Sequence, residues 1–119
     1  MTLPYVDGFV AAVPVAHKDA YLAHARKAAG LFKEFGALSV VECWGDDVPE
    51  GKLTSFTMAV KREDSEATVF SWITWPSKAV RDEAWSKLMT DERMDSSANP
   101  MPFDGKRMIY GGFQTILND

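Results

Sequence analysis

The residues of this chain able to do chemistry are few and scattered. Asp7 is a carboxylate inside the apolar run Tyr5 to Val15, and burial raises a carboxyl's pKa unless a cation or hydrogen-bond donors hold it ionised. It reads either as a proton acceptor in a pocket or as the structural partner of an arginine or of backbone amides. Glu42 follows the same logic in the segment Ala37 to Asp46, as a pocket acid or one end of an interface salt bridge. Arg81 is the natural cation for either acid or for a substrate anion, and Trp85, four residues on, gives its guanidinium a face to stack on. His24 suits a general base or a packed imidazole; without a second histidine at helical spacing it is no metal signature. Tyr110 carries a hydroxyl that could orient a substrate carbonyl.

The densest stretch is MPFDGKRMIYGGF, from Met101 to Phe113. Asp104-Gly105 is a turn signal. Lys106 and Arg107 follow it, suited to an anion at a pocket mouth or to pairing with Asp104 and other carboxylates. Gly111 and Gly112 lie inside a strand pattern, where missing side chains leave room for a bulky neighbour or a ligand. Trp72, with Trp44, Trp75 and Phe70, gives the sheet an aromatic surface, for packing or for walling a pocket that takes a flat hydrophobic ligand. No phosphate loop, dinucleotide fingerprint, HExxH or nucleophile elbow occurs. The candidate catalytic set is therefore Asp7, His24 and Tyr110, with Trp72, Arg81, Gly111, Gly112, Arg107 and Glu42 around a pocket. The expected chemistry is cofactor-independent proton or oxygen transfer on a small aromatic or carbonyl compound, with neither metal nor cofactor. The competing reading is a binding or interaction module without an active site.

Composition bounds these readings. A chain of 119 residues, 46% hydrophobic and 25% charged, is the size of one soluble globular domain. Its net charge of -4 supplies none of the basic surface that dominates nucleic-acid binding. Cys43 stands alone, which rules out an intrachain disulfide framework, reads as an inert small hydrophobe and suits a reducing cytoplasm. No stretch approaches membrane-spanning length, so the expected protein is soluble and cytoplasmic.

The elements that must position these side chains follow from periodicity. Tyr5 to Val15 predicts a strand with Tyr5, Phe9, Ala11 and Val13 on one face and Val6, Val10 and Ala12 on the other. His17 to Phe35 predicts a helix whose stripe is Tyr21, Ala25, Ala28, Phe32 and Phe35, with His24 on its flank and Gly36 as a left-handed cap. Ala37 to Asp46 predicts a second strand, with Glu42 sharing a face with Leu38, Val40 and Trp44. Turn chemistry follows from Gly45 to Lys52, then a short helix over Thr54 to Val60 and a solvated charged connection over Lys61 to Glu66. Thr68 to Trp75 is a β-branched and aromatic strand ended by Pro76. Ser77 caps a helix to about Met89, with Arg81 inside its buried stripe beside Val80, Ala84, Trp85 and Leu88. Thr90 to Pro102 is irregular, and Met108 to Leu117 is the last strand. The rhythm strand-helix-strand, repeated once, predicts an α+β, ferredoxin-like antiparallel sheet with both helices on one face.

Three of those strands carry apolar residues on both sides, so something must cover the face away from the helices. A second copy of the chain is the simplest cover, because two identical sheets can pack or close edge to edge. At about 25 cal/mol per Å2, leaving about 500 Å2 of apolar surface uncovered forgoes about 12 kcal/mol, comparable with a whole domain's stability. A homodimer is therefore expected. The segments TVFSWITWPSKAVRD, DERM and above all MPFDGKRMIYGGF resemble the YbaA-like family of small uncharacterised proteins within the dimeric α/β-barrel superfamily. The likeness runs from about Tyr5 to Leu117 and implies a ferredoxin-like fold paired into a dimeric barrel. It implies no activity, and fold-level analogy leaves function open.

Overall fold

The computed structural model describes residues 3–119. Strand β1 (Tyr5–Pro14) leads through a 3-10 turn into helix α1 (Lys18–Glu34), and strand β2 (Ser39–Trp44) follows. A single-turn helix α2 (Phe56–Ala59) precedes strand β3 (Glu66–Trp75) and helix α3 (Lys78–Leu88). Two 3-10 turns, Glu92–Met94 and Gly105–Arg107, separate α3 from strand β4 (Ile109–Gln114). The four strands form one antiparallel sheet in the order β2-β3-β1-β4. The chain is thus α+β.

The long central pair β1 and β3 runs in register from Tyr5 opposite Trp75 to Pro14 opposite Glu66. Alternation along these strands sends Ala11, Val13, Val69, Ile73 and Trp75 inward against the helices. There they meet Tyr21, Ala25, Ala28, Leu31 and Phe32 of α1 and Ala84 and Leu88 of α3, and Trp75, Val13 and Leu88 are fully buried. α1 stops where Gly36 takes φ +114°, with Ala37 N–H donating to Phe32 O at 2.9 Å as a left-handed cap requires. A Cβ there would also lie 2.8 Å from Val80 Cγ1, so packing against α3 excludes a side chain independently of the dihedral. Ser77 caps α3 by accepting from Val80 N–H at 3.2 Å, and Ser55 caps α2 by accepting from Met58 N–H at 3.0 Å.

The opposite face of the sheet is only partly covered. Val60, just after α2, is fully buried against Val10 and Ala12. Beyond it the rings of Phe56, Phe70 and Trp72 form a row with centroids 5.8 and 5.5 Å apart, and Phe70, Ile109 and Phe113 remain 45%, 44% and 60% exposed. One expectation is corrected at β3, which begins at Glu66, so this residue is not part of a solvated connection. Its side chain is buried and clamped by Arg107, Nη2 to Oε2 at 2.6 Å and Nη1 to Oε1 at 2.8 Å. A buried carboxylate with a bidentate arginine keeps its charge, which a reading of the charged run by polarity alone does not capture.

Candidate functional site

The polar side chains on the helix-facing side of the sheet form two separate groups. The first is built on Asp7, which β1 aims between α3 and the end of β3. Its Oδ2 accepts from the indole N–H of both Trp75 and Trp85 at 2.9 Å. Its Oδ1 accepts from Arg81 Nη2 at 2.8 Å and Nε at 3.1 Å. Four such bonds occupy the lone-pair sites of a carboxylate, so Asp7 has no acceptor capacity left for a substrate. Arg81 also donates to Asp82 at 2.9 Å and lies over the Tyr5 ring, 5.3 Å from its centroid. Both carboxylates hold the guanidinium protonated well above even its ordinary range. Gly112 lies underneath: a Cβ there would stand 2.5 Å from Tyr5 Oη and 2.8 Å from Arg81 Nη2. Its lack of a side chain lets arginine and tyrosine approach the strand.

The second group borders a cavity of about 230 Å3 between the sheet, α1, α3 and the segment from Met94 to Met108. Its polar residues are Glu42 on β2, Ser71 on β3, Tyr21 and His24 on α1, Ser96 and Asn99. Glu42 and Ser71 are directly opposed in the β2–β3 register and so share the inward face. Tyr21 donates its hydroxyl proton to Glu42 Oε1 at 2.6 Å. Glu42 is exposed along the free edge of β2 while its side chain borders the cavity. Partial desolvation beside the cavity pushes the Glu42 carboxyl above the usual carboxylate range, partly offset by hydrogen bonds from Tyr21 and Ser71. Burial and the neighbouring Glu42 push the Tyr21 hydroxyl far up, so it acts as a hydrogen-bond donor.

The cavity wall opposite β2 is held on by hydrogen bonds to α1. His24 Nδ1 lies 3.1 Å from Asn99 Oδ1, and Asn99 Nδ2 donates to the His24 carbonyl at 3.2 Å. His17 Nδ1 donates to the Pro102 carbonyl at 2.9 Å. At the α1 C-terminus Arg93 bridges Glu34 at 2.6 Å and Asp91 at 2.7 Å. Both histidines of the chain therefore anchor the irregular Asn99 to Pro102 stretch, and Phe103 seats its ring edge-on to Tyr21, 5.5 Å between centroids.

The remaining candidates stand apart from this cavity or only border it. Tyr110 is 74% exposed on the outer strand β4, its ring stacked on Phe9 at 6.4 Å, in an open groove toward α3 that Phe9, Trp85 and Met108 divide from the cavity. Trp72 touches the cavity, but its ring stands in the aromatic row on the other face. Arg107 is engaged by Glu66, by Asp104 at 3.0 Å and by the Lys61 carbonyl at 2.8 Å. Gly111 faces the Phe113 ring at ordinary contact distance. The structure thus joins Asp7, Arg81 and Gly112 in one cluster and Glu42 and His24 at another, with Tyr110 and Arg107 in neither. Tyr21, Ser71 and Asn99 escape sequence reasoning. Tyr21 is hidden within an apolar stripe, and Asn99 within an irregular segment. Ser71 offered the one signal, a small polar residue interrupting the inward row Val69, Ile73, Trp75. Among the described residues no three His, Cys, Asp or Glu side chains gather as a metal site requires.

Comparison with known proteins places this geometry in a family. The chain is 62% identical over 117 residues to the uncharacterized protein YbaA of Escherichia coli K12, and equally to the YbaA of Shigella flexneri. Each alignment covers 98% of this chain and the whole of the relative. The model of a family described as a protein of unknown function, DUF1428, matches residues 4–105. On these matches the chain belongs to the DUF1428 family.

Proposed function

We propose that the chain binds, and by proton transfer transforms, a small aromatic or carbonyl compound in the cavity between sheet and helices. The observation that carries this reading is the Glu42 carboxyl, bordering the cavity with a raised pKa, held by the Tyr21 hydroxyl and facing mostly apolar walls. A carboxylate whose pKa is moved toward neutrality exchanges protons at a useful rate. Glu42 serves as the base and Tyr21 fixes its orientation. His24, at the cavity mouth, contacts the bound compound. Asp7, Arg81 and Gly112 serve as framework, and Tyr110 borders the separate outer groove. A thermal-shift screen of small aromatic ketones and aldehydes tests the reading. Stabilisation by at least one compound, lost when Met101→Trp fills the cavity, is the expected result; no stabilisation by any of them would remove it.

A second reading, a binding module without catalysis, draws on the Asp7 cluster, whose acid is fully paired. It would be preferred if Glu42→Gln left the turnover or cellular effect of the bound compound unchanged.

The assembly we infer is a homodimer of ferredoxin-like sheets closing a barrel. The strand order with both helices on one face supports it, as do the exposed Phe70, Ile109 and Phe113 on the other. The cytoplasm is the proposed compartment. No helix of the described residues is long and apolar enough to cross a membrane.

A further inference from the structure

Among the described residues the two buried acids come with their own cations, whereas Glu42 on the cavity wall does not. Asp7 is met by Arg81 at 2.8 Å and Glu66 by Arg107 at 2.6 Å. Glu42 is held by hydroxyls, from Tyr21 and Ser71. Among the described residues no lysine or arginine forms an ion pair with it, and none lines the cavity. Lys18, one turn before Tyr21, sits over the Trp44 ring at 5.2 Å from its centroid. Among the described residues the ionisable groups on the cavity wall are Glu42, His24 and Tyr21.

Glu42 is exposed along the β2 edge, and its carboxylate on the cavity wall is matched there by no lysine or arginine. Beside it, Tyr21, His24 and Phe103 pack within 5.5 to 6.3 Å of one another. Aromatic faces attract cations and give an anion nothing. The size is also restrictive. A cavity of about 150 Å3 holds a benzene ring, so about 230 Å3 takes one ring with a short substituent.

We propose that the ligand of this cavity is a small amine cation on a flat apolar body, its ammonium completing the pair with Glu42 beside the Tyr21 and Phe103 rings. This rests on the cavity being a small-molecule site and narrows its ligand class. Carboxylates and phosphates of the same size are rejected, because no cation receives them. Neutral analogues fit the walls but leave Glu42 unpaired.

Titration calorimetry with benzylamine, benzyl alcohol and benzoate tests this at about pH 8, where an alkylamine is charged. Benzylamine should bind about tenfold more tightly than benzyl alcohol, the scale of one charge-assisted hydrogen bond, and benzoate least. Glu42→Gln should abolish the amine's advantage over benzyl alcohol. Tyr21→Phe, which keeps the ring and removes the hydroxyl competing for the carboxylate, should retain the advantage. Equal or tighter binding of benzyl alcohol or benzoate overturns the inference and leaves the cavity standing as a site. An advantage that survives in Glu42→Gln overturns it in the same way. No binding by any of the three overturns both.

Discussion

Asp7 and Glu42 are the same chemistry placed in opposite circumstances. Both are carboxylates on the inward face, yet one is closed by an arginine and two indoles while the other meets only hydroxyls. Removing the charge of the first strands a half-buried guanidinium, and breaking such a pair costs about 3–5 kcal/mol. Asp7→Asn should therefore lower unfolding free energy by that order in urea titrations. An unchanged midpoint would show that the cluster is not structural. Acid sensitivity divides along the same lines. Arg107 holds the Glu66 carboxyl below its usual range, so its contribution to stability is present above the unfolded carboxyl pKa and is lost as pH falls through the lower folded value. Glu66→Gln should flatten the acid limb of the melting-temperature profile. Glu42, shifted upward, works in reverse. Its contribution is full below the unfolded pKa and fades as pH rises through the folded one, so Glu42→Gln should gain on the wild type toward neutral pH. Profiles that move together in both variants would contradict these assignments.

At the scale of elements, what the sequence reveals is what periodicity and caps encode. The strand TVFSWITW is legible because β-branched and aromatic residues crowd one short run before a proline. α3 is legible from Ser77, whose cap is formed as expected; Ser77→Ala should cost about 1 kcal/mol, measurable by denaturant titration. Boundaries are less legible. β2 begins at Ser39 and β4 ends at Gln114, inside the predicted spans, because pairing runs out before β-propensity does. Glu66 is missed because its fate depends on Arg107, forty-one positions along the chain. The cavity is missed for a similar reason: its wall, Met94 to Phe103, has no periodicity, and what holds it is the pair of histidines on and before α1. Asn99→Ala should speed amide exchange through that stretch and leave β1 and β3 protected. Uniform acceleration across the sheet would instead make Asn99 part of the global core.

At the scale of the whole molecule, the chain is a slab of 40 × 38 × 20 Å, with α1 and α3 on one side of the sheet and, on the other, an apolar face that α2 and Val60 cover only in part. Phe70→Glu with Phe113→Glu should give a monomer by light scattering if a second copy covers that face, and an unchanged mass would exclude it as the interface. The cavity lies on the helix side of the sheet, away from the face that a second copy would cover. Its occupancy is then the central question, and native mass spectrometry of protein isolated from its own cells answers it most directly. The expected spectrum carries about one small basic organic molecule per chain, absent from Met101→Trp and depleted in Glu42→Gln. Wild-type protein that carries no such molecule, or one retained undiminished in both variants, would contradict a ligand held in this cavity by Glu42.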